Sequence, residues 1–306
     1  MEPAATPTPF STPSHTFFSP SRIWAIGTNT LLELFRLKVF YFLLIFALLL
    51  IGSSAFMIDF SFQEQFQLLK DVSLGAMSIF TWLLSVLATA MLLPKDIEDR
   101  TLYTILAKPV PRLEYLMGKL LGILLLLLIA TLLMTIIFVI ALYTRQQMAV
   151  ADAMHGNTGQ QLHDILAGIY KSTFTFSLIP AIVIIYVKAA LFASLTLFIS
   201  TFASSTIFTI MVSFACYFIG HLQGIARDYW LGSGGAMGYA TSELPRLFLG
   251  FVSLVFPDLA LFNVVDDIVA GNSIPMFLFI KTVMLGGLYT CIYLLVAYFV
   301  FASKEL

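Results

Sequence analysis

The chain has 306 residues, of which 59% are hydrophobic and only 11% are charged. A soluble domain usually carries roughly 25% charged residues to cover its surface. The composition therefore excludes a soluble enzyme, a disordered chain and a disulfide-stabilised secreted domain, and it predicts an integral membrane protein. The 16 basic and 17 acidic residues give a formal net charge of −1, so the charge balance does not favour a nucleic acid as partner.

The N-terminal region divides into two parts. Residues 1–21 are rich in Pro, Ser and Thr, and they are predicted to form a disordered cytoplasmic tail rather than a signal peptide. Residues 22–38 mix apolar side chains such as Trp24 and Leu34 with polar ones. Two interpretations of this second part remain open: an amphipathic helix on the inner leaflet, or a cytoplasmic extension of the first membrane span.

Six apolar segments are long enough to cross a bilayer, which takes about 20 helical residues. We therefore predict an all-α, polytopic fold in which residues 22–306 form one transmembrane domain. The predicted spans are residues 39–58, 72–93, 120–143, 175–199, 206–225 and 277–301. A tight turn is expected at residues 200–206. Residues 246–257 are apolar but too short to cross, and we expect a re-entrant or interfacial element there on the outer side.

The distribution of Lys and Arg sets the expected orientation, because cytoplasmic loops are enriched in these residues. An inside N-terminus places nine basic residues in short inner segments and five in longer outer segments. We therefore expect both termini in the cytoplasm. A bacterial inner (plasma) membrane is the expected location.

Residues 94–119 hold nine charged residues, five of them basic and four acidic. Ile97, Thr101 and Ile105 recur at helical spacing, whereas Pro109 and Pro111 must interrupt the helix before it restarts. This pattern predicts two short helical pieces joined by a proline corner at the inner membrane face. An ordinary charged loop would explain the basic residues, but it would not explain four ordered acids or the paired prolines.

Three blocks of this segment resemble the permease subunits of type-two ATP-binding-cassette exporters. They are Glu-Asp-Arg-Thr-Leu at 98–102, Leu-Ala-Lys-Pro-Val-Pro-Arg at 106–112 and Tyr-Leu-Met-Gly-Lys at 115–119. In that family an acid precedes a Thr-Leu pair, a Leu-x-x-Pro-Val-x-Arg corner follows, and Gly-Lys opens the third span. Arg100 stands where many members have glycine. Residues 200–206 and 257–262 resemble the family more weakly, and the likeness covers residues 22–303.

The resemblance implies a permease subunit that moves a substrate with ATP hydrolysed by a separate subunit, so this chain is not expected to be an enzyme. The segment would be the coupling helix that docks on the ATPase. The docking residues it implies are Asp96, Glu98, Asp99, Arg100, Thr101, Pro109 and Arg112. The implied partners are a dimer of cytoplasmic ATPase subunits and a second permease chain, identical or different. ATP and magnesium would bind the ATPase, since this chain lacks a Gly-x-x-x-x-Gly-Lys-Ser/Thr phosphate loop.

Two alternatives belong to other functional classes. A membrane scaffold or assembly factor would dock an ATPase through the same segment without transporting a solute. An intramembrane hydrolase is disfavoured, because Asp and Glu residues lie outside the apolar runs and neither a His-Glu-x-x-His nor a Gly-x-Ser-x-Gly motif occurs.

Lys188 is the candidate cavity residue. It falls near the middle of the fourth predicted span, where a charge costs several kcal/mol unless it faces protein or water. It would either line a cavity and meet an anionic substrate, or be neutralised by a partner on another span.

Histidine and cysteine residues give weaker signals. His155 and His163 are expected in the outer loop after the third span, at a spacing that matches no known metal-ligand pattern, so no metal site is predicted. Cys216 and Cys291 lie within apolar runs and are interpreted as buried small hydrophobic residues.

Overall fold

The computed structural model describes residues 19–54, 62–98, 111–156, 160–173, 175, 177–203, 205–232, 256–263 and 275–303. Within these ranges the chain forms eight α-helices, one short 3-10 helix and no strand, which confirms the all-α prediction. The helices are α1 (Pro20–Phe35), α2 (Lys38–Ser54), α3 (Phe62–Glu98), α4 (Arg112–Gly156), α5 (Gln160–Thr173), α6 (Leu178–Phe202), α7 (Thr206–Gly232) and α8 (Met276–Ser303). The 3-10 helix spans Leu259–Phe262 and lies between α7 and α8 in the chain.

Five of the described helices are long and apolar enough to cross a membrane: α3, α4, α6, α7 and α8. A sixth candidate arises only when α1 and α2 are taken together as a pair bent by 70°. Helix α2 has 17 residues, about 25 Å of helix against a hydrocarbon core of about 30 Å. The rest of the predicted first span, residues 55–58, lies outside the described residues. The described residues thus provide five to six candidate spans, as expected of a multi-pass membrane protein.

The 70° bend between α1 and α2 bears on the two interpretations of residues 22–38. Helix α1 is not a straight extension of the first span. It packs instead along the start of α4, with Ile23, Gly27, Thr30 and Leu34 buried on one face. The bend excludes a straight helical extension of the first span, and the interfacial helix stays a prediction.

Two helices are longer than the spans predicted within them. Helix α3 continues through Pro94, where the second span was expected to end, and reaches Glu98. Proline removes one backbone donor, and a helix tolerates that loss where neighbouring groups pack around it. Helix α4 continues to Gly156, through residues expected to form an outer loop. At 45 residues it is about 68 Å long, more than twice the thickness of the hydrocarbon core.

Helix α6 is the central helix of the bundle. In its most apolar stretch 72% of the residues are buried, compared with 17% in α8, although both helices are similarly hydrophobic. It contacts α3, α4, α7 and α8. Because α8 lies at the periphery, Cys291 is exposed and its predicted burial is wrong, whereas Cys216 on α7 is buried. An apolar run does not distinguish a lipid-facing side chain from a protein-facing one.

Two features flank α7 in the chain, a tight turn before it and the 3-10 helix after it. Helix α6 ends at Phe202 and α7 begins at Thr206, so the turn expected at 200–206 lies where it was predicted. Most of the predicted re-entrant element, residues 246–255, lies outside the described residues. The 3-10 helix that follows packs against α7, with Leu259 lying over Gly220.

Helices α1 and α4 approach each other closely through Gly118 and Gly122 of α4. A Cβ atom at Gly118 would lie 2.6 Å from the Cβ atom of Ile26, and one at Gly122 would lie 2.7 Å from the carbonyl oxygen of Gly27. Neither distance is compatible with a side chain. Small residues four positions apart commonly allow two membrane helices to pack backbone to backbone.

Replacing Gly122 with Ala tests this contact, because the new methyl group must push α1 away from α4. Overpacking of this kind costs about 1–3 kcal/mol, so the Gly122→Ala variant should unfold at a lower temperature than the parent protein in detergent. Gly75→Ala is the matched control, since a Cβ atom there meets nothing within 4 Å. Equal unfolding temperatures for both variants would contradict the close approach.

Candidate functional site

The predicted docking residues fall around a segment of which the structure shows the two ends. Asp96 and Glu98 lie in the last turns of α3, and Arg112 is the first residue of α4. The other four, Asp99, Arg100, Thr101 and Pro109, lie outside the described residues. The structure therefore describes how the segment is attached to the bundle.

Arg112 attaches the start of α4 to the end of α8. One nitrogen of its guanidinium group, Nη1, donates to the carbonyl oxygens of Phe301 at 3.0 Å and Ala302 at 2.6 Å. The guanidinium carbon also lies 6.0 Å from the centre of the Phe301 ring. The last carbonyls of a helix have no partner within it and carry partial negative charge, so a cation is stabilising there. A docking role of Arg112 stays a prediction, but its contacts give it a positioning role.

Tyr115 and Lys119 extend this contact toward α1. The ring of Tyr115 is fully buried and stacks on Phe301, with 6.1 Å between the ring centres. The ammonium of Lys119 lies 5.8 Å from the centre of the Tyr115 ring and 3.4 Å from the Glu33 carboxylate on α1. One stretch of α4 thus touches α8 through its aromatic ring and α1 through its cation.

Glu114 fixes the beginning of α1. Its Oε1 atom accepts the backbone N–H of Ser19 at 2.8 Å, and its Oε2 atom lies 3.2 Å from Nε of Arg22. The Glu114 side chain is buried, whereas that of Arg22 is partly exposed. A hydrogen bond to a charged group contributes about 1.5–3 kcal/mol. The sequence offered one signal for this residue, an acid in the first turn of a helix, but it did not show the partner.

We call these residues the α1–α4–α8 junction. Its members are Arg22, Glu33, Arg112, Glu114, Tyr115, Lys119 and Phe301. The junction joins three helices at the point where the predicted docking segment enters α4. Any displacement of that segment would therefore be transmitted to α1 and α8 as well as to α4.

A second polar group lies inside the bundle at Lys188. The residue is 5% exposed and is the eleventh of the 25 residues of α6, about 15 Å along the axis from the helix start. Its ammonium lies 5.5 Å from the centre of the Tyr217 ring on α7. Among the described residues, no hydrogen bond or ion pair to Lys188 is found.

Aromatic rings from α3, α6 and α7 surround Tyr217. Trp82 of α3 stacks on it, with 3.8 Å between ring centres and 27° between ring planes. Phe192, one helical turn after Lys188, lies 6.2 Å from Trp82. His221 meets the Tyr217 ring edge-on at 4.6 Å. We call Trp82, Lys188, Phe192, Tyr217 and His221 the Lys188 cluster.

Asp258 borders this cluster and was not singled out in the sequence. It is 8% exposed, and its Oδ1 atom accepts the N–H of Ala260 at 3.0 Å, which caps the 3-10 helix. Both Asp258 and Lys188 interact electrostatically with His221. An Asp two residues before the N–H it caps is an ordinary signal for a helix start, but its interaction with His221 depends on the tertiary fold.

The contacts of Lys188 do not balance the free energy of burying its charge. A desolvated cation–π contact contributes about 2 kcal/mol. Burying an ammonium group still costs several kcal/mol after the surrounding protein has relaxed. The Nε1–H group of Trp82 adds to this imbalance, since it is buried without a hydrogen-bond partner among the described residues, a loss of about 1–3 kcal/mol.

The two histidines that were weighed as metal ligands do not form a site with other residues in the described part of the chain. His155 lies near the end of α4 and His163 on α5, and both side chains are exposed, as are those of Asp152 and Asp164. Within the described ranges, no group of three or more His, Cys, Asp or Glu residues comes together.

Comparison with known proteins adds no assignment. No protein-family model matches the chain, and no curated protein matches its sequence significantly. The resemblance to the exporter permeases therefore depends on the three blocks between residues 98 and 119.

The anchoring role of Arg112 can be tested without any partner. In an Arg112→Met variant, the backbone amides of residues 299–303 should exchange with deuterium about tenfold faster or more, because two charge-assisted hydrogen bonds are lost. Arg145→Met is the matched control, since Arg145 donates to Gln65 at 2.8 Å elsewhere on α4. Unchanged exchange in Arg112→Met, or the same increase in both variants, would contradict the anchoring role.

Proposed function

We propose that this chain is the permease subunit of a type-two ATP-binding-cassette exporter. It docks a cytoplasmic ATPase through the segment between α3 and α4 and moves a substrate across the membrane. Magnesium and ATP bind the ATPase, and the permease itself catalyses no reaction. The observation that carries the proposal is the α1–α4–α8 junction, which fixes one end of the motif-bearing segment to three helices.

A docking segment transmits force only if it is attached rigidly to the part that must move. At one end, residues 96–98 continue the backbone of α3, which packs against the central helix α6. At the other end, Arg112 and Glu114 connect α4 to α8 and α1 through charged contacts in the junction. A displacement of the segment is thus delivered to both sides of the bundle.

The proposed mechanism is alternating access. ATP binding closes a dimer of ATPase subunits, the docking segments move with it, and a path between two permease chains changes the face to which it opens. Acidic Asp96, Glu98 and Asp99 together with Arg100 would form charge-assisted contacts with the ATPase, and Thr101 and Pro109 would belong to the same docking segment. The second permease chain is a copy of this chain or a related one.

The proposal places the protein in a bacterial inner membrane with both termini in the cytoplasm. Arg36, after α1, would then lie inside, and His163 on α5 would lie outside. Both side chains are exposed, so both positions suit chemical labelling.

Cysteine labelling in spheroplasts tests this orientation. In a background without Cys216 and Cys291, a membrane-impermeant maleimide should label His163→Cys directly, because that residue faces the outside. It should label Arg36→Cys only after the membrane is permeabilised. The reverse pattern would contradict the orientation and place the docking segment on the wrong side for a cytoplasmic ATPase.

Charge reversal tests the docking segment itself. The double variant Glu98→Lys with Asp99→Lys should lose the stimulation of ATP hydrolysis that the parent permease gives when reconstituted with its co-purifying ATPase. Membrane insertion should be unaffected, because charged residues at the cytoplasmic face do not alter the apolar spans.

The matched control is Asp152→Lys with Asp164→Lys, two exposed acids at the other end of the bundle. This control should retain stimulation. Normal stimulation in the Glu98 and Asp99 variant would contradict docking through this segment. The scaffold or assembly function would be favoured instead if the parent complex hydrolyses ATP in liposomes while no solute is transported and no solute stimulates the hydrolysis.

A further inference from the structure

Lys188 and Trp82 present two buried groups that donate hydrogen bonds and contact the same ring. Lys188 is 5% exposed and Trp82 is 6% exposed. The Lys188 ammonium lies 5.5 Å from the Tyr217 ring centre, and the Trp82 ring stacks on Tyr217 at 3.8 Å. Trp82 Nε1 is buried without a hydrogen-bond partner among the described residues, and within the same residues no hydrogen bond or ion pair from Lys188 Nζ is found. Both groups donate and neither accepts, so what they jointly lack is an acceptor.

An anion supplies the acceptor that both groups need. A carboxylate or phosphate oxygen accepts from an ammonium and from an indole N–H, and charge-assisted hydrogen bonds are the stronger kind. The acid that borders the cluster, Asp258, is already the cap of the 3-10 helix, with Ala260 N–H at 3.0 Å. It also interacts with His221, as Lys188 does. A carboxylate at this border disfavours a highly charged ligand and favours a small group with one or two negative charges.

Tyr217 is the group that must move to admit such a ligand. Its ring lies over the ammonium and is only half-buried, whereas Lys188 and Trp82 are buried. Tyr217 is the member of the cluster that contacts both donors, so its ring is the group that a ligand bound to both would displace. Binding would exchange the contact between Lys188 and Tyr217 for hydrogen bonds from Lys188 and Trp82.

We propose that Lys188 and Trp82, covered by Tyr217, form a binding site for an anionic head group, a carboxylate or phosphate, between α3, α6 and α7. The conclusion that the transported substrate is anionic rests on the proposed function. The binding site itself is argued from the geometry of the bundle and does not require the ATPase.

Trp82 supplies the readout. The chain has three tryptophans, so the Trp24→Phe, Trp230→Phe double variant retains Trp82 alone as a fluorophore. In neutral detergent this protein is titrated separately with dodecyl phosphate, dodecanoate, dodecyltrimethylammonium and inorganic phosphate. A saturable red shift of Trp82 emission is expected with dodecyl phosphate or dodecanoate, because the indole N–H gains an acceptor. Dodecyltrimethylammonium should cause no shift.

The soluble anion distinguishes two sources of the same chemistry. A saturable shift with the two anionic amphiphiles but not with inorganic phosphate assigns the site to an amphiphilic substrate or lipid head group. A shift with inorganic phosphate as well assigns it to soluble anions. Equal shifts with anionic and cationic amphiphiles, or no shift with any anion, would overturn the proposal.

Substitutions at Lys188 complete the test. Lys188→Met should weaken anion binding by about tenfold or more, and Lys188→Arg should retain it, since only the arginine keeps a charged donor. Lys281→Met is the matched control, because Lys281 is an exposed lysine on α8, and its binding should equal that of the parent. Unchanged binding in Lys188→Met would overturn the proposal.

Thermal unfolding separates a binding role from a structural one. If Lys188 serves a ligand, Lys188→Met removes an unpaired buried charge and should unfold at the same temperature or higher. A lower unfolding temperature would show that Lys188 stabilises the fold, and it would overturn the proposal. None of these measurements uses ATP, so they can fail while coupling to the ATPase succeeds, or the reverse.

Discussion

Backbone polar groups inside a bilayer have no water to bind, and this constraint shapes the whole chain. Helices satisfy it residue by residue, which explains why the described residues form helices and no strand. It also explains why α3 continues through Pro94, because ending a helix within the membrane would expose several carbonyls instead of removing one donor. The same constraint makes helix ends energetically unfavourable, because the last carbonyls of a helix have no hydrogen-bond partner within it. Arg112 illustrates the solution, since it donates to two carbonyls at the end of α8.

Charged residues are few in such a protein, so the position of each one indicates what it does in the fold. At one end of the bundle, Arg112, Glu114 and Lys119 are each engaged with a group on another helix. In the interior, Lys188 has a ring beneath its ammonium and no acceptor among the described residues. A protein under selection for stability alone would gain by replacing such a lysine with an apolar residue. The contrast between engaged charges at the ends and an unsatisfied one inside is the structural feature that supports the proposed transport function.

The sequence predicted the features that depend on hydropathy and local propensity. The all-α class, the turn between α6 and α7 and the position of α8 follow from runs of apolar residues broken by polar ones. Helix lengths could not be predicted from these runs, because α4 continues as a helix where its apolar character ends. The burial of individual side chains could not be predicted from them either. Cys291 lies in an apolar run as Cys216 does, yet it is exposed, since lipid and protein interior favour the same residues.

The candidate sites were predicted in part for the same reason. Lys188 was conspicuous because a charge within a span is rare, but Trp82, Tyr217 and Asp258 come from other parts of the chain and become neighbours only in the folded bundle. Arg112 was expected to face a partner, whereas its described contacts face α8. The central claim, docking of an ATPase, is tested most directly by a photoreactive amino acid at Asp99 in intact membranes, with Asp164 as control. The account predicts a crosslink from position 99 alone to a protein with a Gly-x-x-x-x-Gly-Lys-Ser/Thr phosphate loop, and crosslinks from position 99 to lipid or other proteins only would contradict it.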